Sequence, residues 1–173
     1  LQSVALLDMP PFRFRAKKPH QKLRLGFVSS NIGNHPLSHL MRTVFLSIDR
    51  TQFDVYIYAA SEDDLSSWRR EVRDGVNGEA ADGGARFKDI SKASISDAAR
   101  LIHADGIHVL VDLDGYTKGG QQQIFALRPA PIQASYLGFA GTLGAKHMNY
   151  LFADSVVVPR ALGANYTESI VYL

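Results

Sequence analysis

Three features of the sequence predict an α/β fold of the doubly wound type with a mostly parallel sheet. Short β-branched and aromatic runs alternate with amphipathic stretches of roughly a dozen residues, the pattern of strands joined by right-handed crossover helices. One run, Ile107 to Leu113, is almost continuously apolar, as a central parallel strand covered on both faces must be. Three runs end in polar, glycine-bearing loops, Ser29 to His39, Asp112 to Gly120 and Gly138 to Lys146. Ligands bind outside the carboxyl ends of the strands in an open parallel sheet, so these loops are expected to converge on one crevice.

Taken in order, Leu23 to Ser29 reads as the first strand, and Ser30 to Pro36 as a cluster of turn formers. A helix follows, with Ser38 as its expected cap. Leu40, Met41, Val44, Phe45 and Ile48 recur on its expected buried face. Phe53 to Ala59 is a second strand. The acidic run Ser61-Glu62-Asp63-Asp64 suits the start of a helix reaching Asp74, because carboxylates favour the positive end of a helix dipole. Gly75 to Gly84 reads as a loop and Arg86 to Ile90 as a brief edge strand. Ser94 or Ser96 caps a third helix with Ala98, Ala99, Leu101 and Ile102 on its apolar face, and Asp105-Gly106 closes it. The central strand comes next, then a short helical turn over Gln123 to Leu127. Strands are expected over Pro131 to Leu137, Tyr150 to Asp154 and, at the end, Ser169 to Leu173.

The 173 residues are 46% apolar and 21% charged, and no run approaches eighteen consecutive apolar residues; the composition fits one globular domain and excludes a disordered tail or a membrane span. The absence of cysteine excludes a disulfide framework, a thiolate nucleophile and any Cys-based metal site. A net charge of +2, from 19 Lys and Arg against 17 Asp and Glu, is too small to imply a nucleic-acid partner. The basic cluster Arg13 to Lys18, interrupted by Phe14 and bordered by prolines, reads as a solvated linker, so residues 1–22 are taken as linker and 23–173 as the folded lobe. The chain opens at Leu1 and stops within strand-like sequence, which suggests one lobe of a longer polypeptide.

Among chemistry-bearing residues, His35 precedes Pro36 at the mouth of a helix, where an imidazole can face a ligand. His39 lies four residues on, but Pro36 intervenes and no Glu follows as in H-E-x-x-H, so His39 is read as a packing or hydrogen-bonding residue and not as a metal ligand. Asp112 and Asp114 sit at the carboxyl end of the central strand, placed to bind a sugar hydroxyl or to cap a turn. Asp105 and His108 sit at its amino end, away from the expected crevice; on position alone they read as a helix-ending turn and a hydrogen-bonding histidine. No loop matches G-x-G-x-x-G or a Walker loop.

Five blocks in one order, Leu23 to Ser30, Gly33-Asn34-His35-Pro36 to Met41, Asp105-Gly106-Ile107-His108 to Val111, Gly115-Tyr116-Thr117-Lys118-Gly119 and Phe125-Ala126-Leu127-Arg128-Pro129-Ala130-Pro131-Ile132-Gln133-Ala134, resemble the protein O-GlcNAc transferase family, a GT41-type glycosyltransferase. The resemblance implies the N-terminal Rossmann-like lobe of a two-lobed GT-B region, with a second lobe and tetratricopeptide repeats elsewhere in the chain. It implies metal-independent, inverting transfer of N-acetylglucosamine from UDP-GlcNAc to Ser or Thr of cytoplasmic acceptor proteins, nucleocytoplasmic in a eukaryote, with no cofactor and no activity in the isolated lobe. By the same resemblance His35, Asp105 and His108 are catalytic candidates. Asn34, Pro36, Tyr116, Thr117, Lys118, Gly141 and Thr142 are the corresponding substrate-binding candidates.

The loop from Gly138 departs from the family's Gly-Tyr-Pro-Gly-Thr-Ser-Gly at Ala140 and Leu143, and Asn149 stands where Asp is usual. These departures leave room for a divergent specificity or an impaired enzyme, and the Ala140 and Leu143 loop motivates the alternative of a non-catalytic protein-interaction lobe. An O-fucosyltransferase of the related branch, which shares the Arg-Pro-Ala-Pro block but typically lacks the His-Pro and Gly-Tyr-Thr-Lys-Gly patterns, is the rival among enzymes. A free-standing flavodoxin-like binding domain is the reading from fold alone.

Overall fold

In the computed structural model, residues 9–78 and 83–173 are described. The first eight linker residues and part of the loop expected over Gly75 to Gly84 lie outside these. The elements are β1 (Leu23–Ser29), α1 (Pro36–Ser47), β2 (Phe53–Ala59), α2 (Ser67–Gly78), β3 (Phe87–Asp89), α3 (Ile95–Ala104), β4 (Val109–Asp112), α4 (Gln122–Ala126), β5 (Ile132–Tyr136), β6 (Tyr150–Ala153), a 3₁₀ turn (Arg160–Asn165) and β7 (Ser169–Tyr172). The seven strands form one sheet in the order β3-β2-β1-β4-β5-β6-β7, and every pairing is parallel. The order turns back between β1 and β4, so the switch point falls where Ser29 and Asp112 end adjacent strands.

Alternation along the strands sends side chains to two separate cores. Phe27, Val55, Ile57 and Val111 meet Met41 and Phe45 of α1 and Val72 and Val76 of α2 on one face. Val28, Tyr58 and Leu110 meet Ala98, Ala99 and Ile102 of α3 and Ile124 and Phe125 of α4 on the other. Helices on both faces of a parallel sheet make the fold doubly wound, as the sequence predicts.

Several local expectations are corrected. The N-cap of α1 is His35, whose Nδ1 accepts from the backbone N–H of Leu37 at 3.2 Å, and Pro36 takes the first helical position, where its missing N–H costs nothing. Ser38 is inside the helix and buried, and its Oγ accepts from the Gly33 N–H at 3.2 Å. The buried stripe of α1 is Leu37, Met41 and Phe45, so Met41 and Phe45 of the expected face are in the core while Leu40 and Val44, beside them in sequence, face solvent. Helix α2 begins at Ser67, not within the acidic run, and continues to Gly78. Ser94 caps α3, accepting from the Asp97 N–H. The linker is not wholly solvated: Phe12 stacks on His103 at 4.4 Å and Phe14 meets the same ring edge-on at 5.5 Å.

No helix among the described residues is long and apolar enough to cross a membrane.

Candidate functional site

The three expected loops meet over the switch point. A cavity of about 460 Å³ is lined by Asn31, His35, Leu37 and Leu40 from the β1–α1 segment, Thr117 and Lys118 after β4, and Leu137 and Gly138 after β5. His35, Thr117 and Lys118 are thereby brought together. Asn31, Leu37, Leu40, Leu137 and Gly138 line the same cavity without having been singled out from sequence. The available signal was position alone, since Asn31, Leu37 and Gly138 fall inside loops named for other residues.

Carboxylates hold each loop. Asp114 is buried, and each of its oxygens accepts two hydrogen bonds: Oδ1 from Ser29 Oγ at 2.6 Å and Asn31 Nδ2 at 3.0 Å, Oδ2 from the Ser30 N–H at 2.6 Å and Ser30 Oγ at 2.9 Å. Asp112, also buried, accepts from the N–H groups of Asp114 and Gly115 and from Gln122 Nε2. Burial pushes the Asp112 carboxyl above its ordinary value, and the donors around it limit the rise. Both aspartates therefore act as turn caps and braces, not as groups presented to a ligand.

The loop before α1 is braced from its other side. Asp64 accepts from the Asn34 N–H at 2.6 Å. Burial pushes Asp64 upward, but that bond and those from Ser66 outweigh it and hold its pKa below the ordinary value. Arg69, 1% exposed, donates to the Ile32 carbonyl at 2.9 Å and to Asp89 at 2.8 Å. The third loop is tied by Glu168, which accepts from Thr142 Oγ1 and the Leu143 N–H, each at 2.7 Å.

The other expected site residues fall around the cavity instead of in it. Asn34 Oδ1 accepts from His39 Nε2 at 3.2 Å, and the His39 ring lies 4.1 Å from that of Trp68. Pro36 starts the helix. Tyr116 donates to the Leu143 carbonyl at 2.7 Å, with its ring edge-on to Phe139. Gly141 packs beside Phe139, and Thr142 bonds Glu168. Leu143 is a core residue, Ala140 is exposed, and Asn149 Oδ1 accepts from the Gln133 N–H at 3.0 Å, so none of the three family departures lines the cavity.

Asp105 and His108 are not brought to the crevice. Val109 pairs with Leu25, so His108 lies beside Arg24 at the amino end of β1, and its Nδ1 accepts from the Arg24 N–H at 2.9 Å. The Asp105 carboxylate accepts from Tyr58 Oη at 2.7 Å and Lys88 Nζ at 2.5 Å, and its carbonyl takes Arg24 Nη1 at 2.7 Å. From Arg24 to Ser29 the strand runs about 16 Å at roughly 3.3 Å per residue, which separates this cluster from His35.

His35 has a defined polarity. Its Nδ1 lone pair is used by the Leu37 N–H, so in the neutral ring the proton is on Nε2, which becomes a donor. With Lys118 it gives the cavity wall two donors suited to anionic or hydroxyl oxygens. Among the described residues no three His, Asp or Glu side chains gather as a metal-binding group.

The model of the family described as "Glycosyl transferase family 41" matches residues 1–173, the whole of the sequence. The chain belongs to glycosyl transferase family 41. It is 41% identical over 171 residues to a probable UDP-N-acetylglucosamine–peptide N-acetylglucosaminyltransferase, SEC, of Arabidopsis thaliana, covering 95% of this chain and 17% of that protein. It is also 41% identical over 154 residues to the UDP-N-acetylglucosamine–peptide N-acetylglucosaminyltransferase of Caenorhabditis elegans, covering 88% of this chain and 13% of that one. A solved O-GlcNAc transferase mutant of Thermobaculum terrenum superposes with a TM-score of 0.82 at 29% identity, over 95% of this chain and 30% of that one. The family 41 chain described here thus spans well under a third of each of the two curated relatives and 30% of the solved one, and its seven-stranded sheet corresponds to a Rossmann-like lobe of the transferase.

Proposed function

We propose that this lobe forms one wall of the transfer site of a protein O-GlcNAc transferase, which moves N-acetylglucosamine from UDP-GlcNAc to Ser or Thr hydroxyls of acceptor proteins. The observation that carries the reading is the meeting of three switch-point loops around His35, Asn31, Thr117 and Lys118 in a chain of family 41. Transfer needs the donor's anomeric carbon, its diphosphate leaving group and an acceptor hydroxyl held together. The ammonium of Lys118 and the Nε2–H of His35 offset charge that develops on oxygen as the diphosphate departs. Asn31 offers a carboxamide oxygen that can accept from a hydroxyl.

In this reading His35 binds and orients through Nε2–H, because its Nδ1 lone pair is committed to the helix cap. The acceptor proton leaves through water or to a group contributed from outside this lobe. Asp105 and His108 stabilise the amino end of the sheet. Transfer proceeds with inversion and without a metal or other cofactor, in the cytoplasm, and requires a second lobe of the same polypeptide, with tetratricopeptide repeats preceding the linker. The lobe alone is inactive.

The test is mass spectrometry of an acceptor peptide incubated with the full-length parent polypeptide and a mixture of UDP-GlcNAc and GDP-fucose. An N-acetylhexosamine increment that His35→Ala abolishes in a folded protein is expected. A deoxyhexose increment would move the assignment to fucosyl transfer, and no increment would leave an interaction lobe.

A further inference from the structure

Asn31 lines the cavity with His35, and its Nδ2 is bonded to Asp114 Oδ1 at 3.0 Å. An amide has one donor end and one acceptor end, and which end faces outward is decided by the partner of the other. The Asp114 carboxylate only accepts, so it takes the NH₂ of Asn31 and leaves the amide oxygen free; among the described residues no donor is bonded to that oxygen. Asp114 has no further capacity, since Ser29 Oγ, Ser30 N–H and Ser30 Oγ occupy its other lone-pair positions. It is buried beneath the crevice and lines none of it.

We propose that Asp114 is a positioning residue that sets the polarity of the crevice, holding Asn31 so that a hydrogen-bond acceptor faces a hydroxyl or amide donor of the bound substrates. This rests on the assignment of the crevice as part of the transfer site. The determinant is the pair: a carboxylate below and an amide above.

The chemistry of substitution follows. In Asp114→Asn, the oxygen of the new amide stays with the Ser30 N–H, an obligate donor. Its NH₂ then faces Ser29 Oγ, which can turn to accept, and Asn31, which must flip and present NH₂ to the cavity. In Asn31→Asp, two carboxylates face each other at hydrogen-bond distance without a proton donor between them. When both changes are made, the amide introduced at position 114 donates to the carboxylate introduced at position 31, and an acceptor oxygen again faces the cavity.

The experiment measures kcat/KM and thermal unfolding of the full-length parent polypeptide as wild type, D114N, N31D, D114N/N31D and N31A, each normalised to folded protein. Each single change at the pair is expected to lower kcat/KM about ten-fold or more, and the double change to return it to within about three-fold of wild type, a coupling that independent sites would not show. The swapped protein is also expected to gain an acidic limb in its pH profile beyond any of wild type, because the carboxylate at position 31 then presents a titrating oxygen to the substrates; a purely structural pairing restores stability without that added limb.

If D114N does not fold, N31D against the double variant carries the same comparison. Losses that simply multiply in the double variant, or recovered stability without recovered kcat/KM, overturn the positioning role while the crevice assignment stands. Wild-type turnover by N31A overturns the crevice assignment at Asn31 and the proposal with it.

Discussion

The backbone N–H of Arg24 donates to Nδ1 of His108 at 2.9 Å, so the bond that joins the start of β1 to the residue before β4 exists only while that nitrogen is unprotonated. Burial, with Arg24 and then Lys17 nearby, pushes the His108 pKa below its ordinary value, and burial followed by Arg128 does the same to His147. Both rings bind protons more weakly in the folded state than in the unfolded chain. Stability is therefore complete above the ordinary histidine value of about 6.5 and falls as the pH drops through it towards the lowered folded values. The thermal midpoint should decline on acidification through that range, and His108→Asn, which keeps an acceptor, should flatten the decline. An unchanged slope would remove His108 as its source.

Helix α1 should respond very unequally to neighbouring truncations. Phe45 is fully buried and packs on Phe27 at 5.1 Å, whereas Val44 is 42% exposed. Phe45→Ala is expected to cost about 3 to 5 kcal/mol and Val44→Ala within about 0.5 kcal/mol of zero, measured by denaturant unfolding. Similar losses at both positions would mean the helix is rotated from the orientation described.

Gly138 should not tolerate a side chain. A Cβ there would collide with the carbonyl oxygen of Leu113, which is backbone and cannot move aside. Gly138→Ala is expected to lose more than about 2 kcal/mol or to fail to fold, which circular dichroism and melting would report. Gly144→Ala is the control, because a Cβ at that position meets nothing within 4 Å and its strain comes only from a φ of +62°.

Glu168, the residue before β7, is bonded to the loop bordering the crevice. It is 4% exposed and accepts from the Leu143 N–H and Thr142 Oγ1. Glu168→Ala leaves that buried N–H without a partner, and about 1 to 3 kcal/mol of stability should be lost. Hydrogen exchange at Leu143 should accelerate more than at Leu110, which sits in the central strand; equal protection in variant and wild type would contradict the brace.

Much of this arrangement could be read from sequence. The near-continuous apolar run into Leu113 and the three polar loops after strands located the sheet and the side on which the cavity forms, because parallel strands covered on both faces leave a compositional trace. Spacing correctly marks Met41 and Phe45 as buried in α1, but Leu40 and Val44, each one position from a buried residue, fit the same spacing and are left exposed by the packing; a histidine is also not an expected cap. Arg69 left no signal either, since a fully buried guanidinium depends on partners as distant in sequence as Ile32 and Asp89. Asp105 and His108 illustrate the opposite case. Their place at the amino end of a strand indicated a structural role from residue position, while motif likeness suggested chemistry, and the fold puts them at the opposite end of the strands from His35.

The crevice loops are fastened by carboxylates: Asp114 joins the loop after β4 to Ser29, Ser30 and Asn31, Asp64 holds Asn34, and Glu168 holds Thr142 and Leu143. Their conformational entropy is therefore given up during folding and not at the moment of binding. These loops are therefore preorganised, and a substrate bound as proposed should leave their backbone within about 1 Å of the free form.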